Sequence, residues 1–222
     1  MKTADKILAL IRDTSSSLPD DVEKAILSAM RREEKGSSAK MILKILDNCA
    51  LARENVTPLC QDTGTLTFFV DSRLRKKVDR KVISEAARKA TEKGYLRKNC
   101  IDSVDGKSYD DNVAEGAPVI HYFEPESPDS KPTVTLIMKG GGSENMSRQY
   151  SLPDSSLGAG RDLKGVEKCI LDAVVKTQGY GCAPGILGVC IGGDRATGYE
   201  IAKEQLLRGL ADSSKDPRLA KM

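Results

Sequence analysis

The feature that most constrains this chain is a change of apolar period at Val56-Thr57-Pro58. Before it, apolar residues recur at helical spacing in three segments: about 3–13, about 19–34 and about 38–54. In the third, Met41, Ile42, Ile45, Leu46, Cys49 and Leu51 fall near one stripe, so Cys49 reads as core rather than ligand. Ser17 is a candidate N-cap for the second, with Pro19 in its first turn. After the break, Leu66-Thr67-Phe68-Phe69-Val70 reads as a strand and 80–94 as a helix ended by Gly94. The polar, glycine-bearing stretch 97–116 predicts a long loop. Strands are expected at 117–124 and 132–139, joined by the turn-rich Pro125 to Ser130 in meander fashion. A glycine-dense loop over 140–160, a helix at about 163–178, a short apolar run at 186–191 and a helix at about 195–211 complete the chain. Helices, then strands, then helices predict an α+β fold with an antiparallel or mixed sheet, as one large domain over 1–222.

Several function classes lack material. The net charge is +3, aromatics are 4% and Trp is absent, so neither a basic stripe nor a stacking platform for nucleic acid is present. The one basic cluster, Arg73 to Lys81, reads as a solvated loop entering a helix. No window approaches the ~18 apolar residues of a membrane span. The opening MKTADKILALIRD has no uninterrupted apolar stretch and no small-residue cleavage site, so a cytoplasmic protein is expected. In that setting the six cysteines default to thiols, and no C-x-x-C pair suggests a zinc ribbon or a thioredoxin-type site. His121 is the only histidine and sits mid-strand, where a packed role is the simpler one. Cys-His proteolysis and two-histidine iron sites are thereby disfavoured.

Three loci concentrate groups that do chemistry. In Pro58-Leu59-Cys60-Gln61-Asp62-Thr63-Gly64-Thr65, a thiol, an amide, a carboxylate and two hydroxyls precede a strand. Such groups need partners when buried. An Asx-turn at Asp62 with a positive-φ Gly64 is the structural alternative to a site. In Lys139-Gly140-Gly141-Gly142-Ser143-Glu144-Asn145, glycines permit close backbone approach and can present amides to an anion, or serve as a hinge. Neither a P-loop nor a Rossmann pattern occurs. In Gly179-Tyr180-Gly181-Cys182-Ala183-Pro184-Gly185, a thiol lies in a Gly/Pro turn, where main-chain amides can stabilise a thiolate. Cys190 sits in an apolar run and reads as packed; Cys100 and Cys169 read as structural or incidental.

PLCQDTGT, KGGGSENMS and GCAPGILGVCIGG, in this order, resemble the α subunit or N-terminal domain of class I fumarases and tartrate dehydratases. Leu96-Arg97, Asp111-Asn112 and Ile120-His121-Tyr122 are similar too, and the resemblance covers roughly 40–210. It implies a hydro-lyase acting on a small dicarboxylic acid, with an iron–sulfur (4Fe–4S) cluster whose open iron is a Lewis acid. It assigns Cys60 and Cys182 as cluster ligands, and Gln61 and Asp62 as catalytic residues that also face substrate. Arg97, Gly140 and Gly141 become substrate contacts. The resemblance further implies a β subunit, in a homo-oligomer of α or an α2β2 assembly, carrying the remaining substrate and base residues.

Two departures qualify it. The family's third cluster cysteine lies beyond the third motif, so a truncated α subunit is expected, with Cys190 a less favoured substitute. Lys98-Asn99-Cys100 follows Arg97 where proline is expected. The alternative reading is a cluster-less interaction protein derived from this fold; an anion-binding module at Gly140–Gly142 ranks below both.

Overall fold

The structure, a computed structural model, describes residues 2–33, 36–182 and 184–222. In chain order its elements are α1 (Thr3–Ser16), α2 (Asp20–Arg32), α3 (Ser37–Asn55), β1 (Thr65–Asp71), a 3-10 turn (Ser72–Leu74) and α4 (Arg80–Glu92). There follow β2 (Cys100–Ile101), β3 (Ser108–Tyr109), β4 (Val119–Phe123), β5 (Val134–Lys139), α5 (Gly141–Asn145), α6 (Leu163–Thr177), α7 (Arg195–Gln205) and α8 (Pro217–Ala220). The class is α+β, as the sequence predicts. By contact the chain divides into Met1–Pro19 with Lys35–Gly141, and Asp20–Glu34 with Gly142–Met222. Among the described residues no helix is long and apolar enough to cross a membrane.

The first unit is built on β1. Its residues Leu66 to Asp71 are all buried, so both faces are covered and the strand takes the middle of the sheet. The order is β4-β1-β5, with β4 parallel and β5 antiparallel to β1. This corrects the meander: β4 and β5 do not pair with each other, because the most apolar strand claims both neighbours. The loop expected at 97–116 carries a small hairpin, β2 against β3.

Helix α4 begins where the Asp79 carboxylate accepts from the Val82 N–H at 2.9 Å. It buries Ile83, Ala86, Ala87 and Ala90, a helical stripe whose small side chains allow close approach to the core. Gly94, at φ +75°, lets the chain leave it. With Ile7, Ile11, Phe68, Val70 and Leu136 this stripe forms one apolar cluster. Helix α1 runs to Ser16 because the Ser15 and Ser16 hydroxyls donate to the Arg12 carbonyl at 2.9 and 2.8 Å. Ser17 therefore closes α1, its N–H on Asp13, instead of capping α2. Residue 34, the last of the expected second helix, lies outside the described residues. His121 stacks on Phe69, ring centres 5.1 Å apart, in agreement with a packed role.

In the second unit, α6, α7 and α8 start on aspartates 162, 194 and 216, each accepting from main-chain N–H groups of its first turn. Cys169 is buried on α6, and burial pushes its thiol pKa up. Tyr150 donates to Asp172 at 2.7 Å; burial and that carboxylate push the phenol up to about 12. The apolar run 186–191 is not a strand, and Ile186, Leu187, Val189 and Ile191 are exposed. Cys190 within it is half-buried rather than packed. Helix α7 ends at Gln205, short of the expected 211, and turns follow.

Candidate functional site

Strand pairing gathers the first two loci. Thr65 faces Lys139 across the β1–β5 ladder, which sets the residues before β1 beside those after β5. Thr67 faces Val119 across the β1–β4 ladder, which brings Ala117 and Pro118 to the same end of the sheet. Gly64, at φ +73°, sits so close to the Lys139 carbonyl and the Gly140 amide that any Cβ there would collide with main chain.

Asp62 lies at this junction, partly buried. Its Oδ1 accepts from the Gly64 N–H at 2.9 Å and from Asn99 Nδ2 at 2.9 Å. Its Oδ2 accepts from the Gly141 N–H at 2.9 Å. A Cβ on Gly140 would lie 2.9 Å from Oδ2, so a side chain at 140 would displace the carboxylate. The Asx-turn expected of this loop is present, and the carboxylate also accepts from two further segments. The Gly141 amide is thus engaged by Asp62.

Beside Asp62 is a cavity of about 200 Å³ lined by Asp62, Asn99, Cys100, Asn112, Pro118 and Gly141, among others. Cys100, expected to be incidental, lines it; burial, with Asp111 and Asp102 nearby, pushes its thiol up. Asn112 is buried, at φ +58°, and donates to the Arg97 carbonyl at 2.8 Å and to Thr91 Oγ1 at 3.0 Å. It thereby ties residues 97–99 to α4. Arg97 itself is exposed and does not line the cavity; its carbonyl, not its guanidinium, makes the contact with Asn112. Sequence reasoning missed Asn99 and Cys100 as cavity residues. Their only signal was their place after Leu96-Arg97.

Cys60 and Gln61 are exposed, two residues and one residue before Asp62. The turn that carries Cys60 is fixed through Leu59, whose N–H donates to the Ser15 carbonyl at 2.8 Å and whose carbonyl accepts from Asn48 Nδ2 at 2.8 Å. Cys182 is also exposed, in the second unit; its neighbour Ala183 lies outside the described residues. A hollow of about 500 Å³ in that unit, lined by Tyr150, Leu152, Arg161, Val166 and Ile191 among others, includes neither Cys182 nor any other expected site residue. It is larger than the Asp62 cavity but lacks its converging polar contacts.

A family model for fumarate hydratase (Fumerase) matches residues 4–222. The chain belongs to this family. Among its Fumerase relatives, a protein provisionally named a class I fumarate hydratase in Geobacillus stearothermophilus is 44% identical over 227 residues, covering 100% of this chain and 44% of that protein. A provisionally named L(+)-tartrate dehydratase subunit alpha of Methanocaldococcus jannaschii is 30% identical, covering 100% of this chain and 78% of that one. The L(+)-tartrate dehydratase subunit alpha of Escherichia coli K12 is 26% identical over 94% of this chain and 68% of its own length. This chain therefore spans less than half of the first of these Fumerase relatives.

The cysteines sort by exposure. Cys49 and Cys169 are buried in helices, whereas Cys60 and Cys182 are exposed on loops. Thiolates are the donors that iron–sulfur clusters take, so these two fit such a group in donor chemistry. Among the described residues no three His, Cys, Asp or Glu side chains are grouped to hold a metal.

Proposed function

We propose that this chain is the α-type part of an iron–sulfur hydro-lyase that adds or removes water on a small dicarboxylic acid. Fumarate/malate and tartrate are the substrates that the relatives' names support. The observation that carries the reading is Asp62: three donors from three loops orient its carboxylate over a cavity of about 200 Å³, two residues after an exposed thiol.

Cys60 and Cys182 would hold the cluster, and when bound it supplies Lewis-acid chemistry toward a departing hydroxyl. The chain's own residues handle position and protons. In dehydration the hydroxyl leaves with the C–O bonding pair and takes a proton from Asp62, forming water. The C–H proton passes to a base on a β-type partner, and its electron pair becomes the new C=C bond. In hydration each transfer reverses. In this reading Gln61 contacts substrate next to Asp62 and Arg97 pairs with a substrate carboxylate, as the family resemblance assigns them. Gly140 leaves the backbone accessible beside Asp62, and Gly141 serves the reaction by holding the Asp62 carboxylate.

Anaerobic reconstitution of the full-length gene product with iron and sulfide, in the presence of the β-type partner, is expected to give broad iron–sulfur absorbance and turnover of fumarate or L-tartrate. Cys60→Ala and Cys182→Ala should each abolish the absorbance. Asp62→Asn should keep it while lowering kcat by about 10²–10⁴-fold. Iron binding that persists unchanged in both cysteine variants overturns the proposal.

A further inference from the structure

Asn99 Nδ2 donates to the Asp62 carboxylate from a side chain, whereas Gly64 and Gly141 donate from main-chain amides. Asn99 is itself held on several sides. Its Oδ1 accepts from the hydroxyl of buried Thr63 at 3.2 Å, and its own N–H donates to the Arg97 carbonyl at 3.2 Å and reaches Asn112 Oδ1 at 3.4 Å. The amide has one workable orientation, because a carboxylate acceptor must meet its NH₂ end, leaving the oxygen for the Thr63 hydroxyl. The main-chain amides of Gly64 and Gly141 fix where the carboxylate sits. Each holds one oxygen, and Asn99 adds a second donor on Oδ1, which leaves Oδ2 as the oxygen with open acceptor capacity.

We propose that Asn99 is a positioning residue: it fills the acceptor capacity of Asp62 Oδ1 beside the Gly64 amide, so that Oδ2 is the oxygen that meets the reacting hydroxyl. This rests on the hydro-lyase reading, and it assigns a role at the very stretch, Lys98-Asn99-Cys100, where the sequence departs from the family pattern. Asn99 acts through Asp62 and not on substrate, so its loss should lower kcat and leave KM nearly unchanged.

The test is a double-variant cycle in the cluster-loaded assembly with its β-type partner, using fumarate or L-tartrate. Asn99→Leu keeps the branched shape and removes the side-chain hydrogen bonds to Asp62, Gln61 and Thr63; it should lower kcat on the order of tenfold with KM within about twofold. In the Asp62→Asn background the same change should cost nothing further, since the group being positioned no longer works. A structural role would instead give the same loss in both backgrounds, and that result overturns the proposal. So does an Asn99→Leu kcat within about twofold of the parent while Asp62→Asn is severely impaired. A parent assembly with no turnover overturns the hydro-lyase reading instead. Coupling is then read from thermal unfolding of the same four proteins, where strictly additive midpoint shifts overturn the Asn99–Asp62 link.

Discussion

In the first unit Ile11, Phe68, Val70 and Ile83 have no exposed surface, whereas in the second Leu171, Val175, Leu187 and Ile191 are 65%, 62%, 54% and 52% exposed. The two units draw on similar residue types, so composition does not explain the contrast. Topology does. β1 has a strand on each side, and the apolar stripes of α1 and α4 pack against the sheet, so its core side chains are enclosed, while Met41 and Leu51 of α3 stay exposed. Among its described residues the second unit has helices and turns but no sheet, and few apolar residues (Ile26, Ala159, Val166 and Cys169) are buried there. Polar groups follow suit. Asp71 is 1% exposed and clamped by Arg73, which also donates to the Pro128 carbonyl. The Arg218–Asp216 pair lies on the surface, where such contacts contribute little.

The contrast can be broken most sharply at Phe68. Phe68→Ala should destabilise the first unit by about 3–5 kcal/mol in urea unfolding, through lost transfer energy and a residual cavity. A loss below about 1 kcal/mol would mean that this core is no better packed than the other unit. Next in size is the pH dependence of Asp71. The Arg73 hydrogen bonds hold its carboxyl below the ordinary carboxylate range. Its contribution is then fully present above about pH 4 and fades as pH falls through the lowered native value. Thermal midpoints of Asp71→Asn should be lower than wild type at neutral pH and converge with it in acid. Parallel curves would show that the pair contributes nothing pH-dependent. The smallest effect is expected at Leu187, where Leu187→Ala should stay within about 0.5 kcal/mol of wild type by the same measurement. A larger loss would show that this face is covered in solution.

Much of the fold was legible because it is written locally. Apolar periods placed α1, α3, α4 and α6 within a few residues, and the run Leu66 to Val70 marked the central strand. Which strands pair was not legible: β4 lies 52 residues beyond β1 by register, and nothing in either segment specifies a parallel neighbour. At the site, Asp62 and the glycine run stood out because dense polar groups and repeated glycines are locally unusual. Asn99 did not, since an asparagine acquires meaning only from a carboxylate 37 positions away. Arg97 shows the reverse: a residue conspicuous by resemblance whose visible contact is made by its backbone. Ser17 shows how a cap depends on where the previous helix stops, which two serine hydroxyls decided.

The close seating of Gly64 on the Lys139 carbonyl, and of Gly140 on Asp62, gives the cavity a floor that cannot be renovated. A larger residue at either position would pry the carboxylate from its donors, so neither can be used to adjust what the cavity accepts. Variation has to come from the walls, at Cys100 and Ala117, which also line the space. A family built on this floor would keep its proton-handling group fixed while its walls changed with the acid it admits.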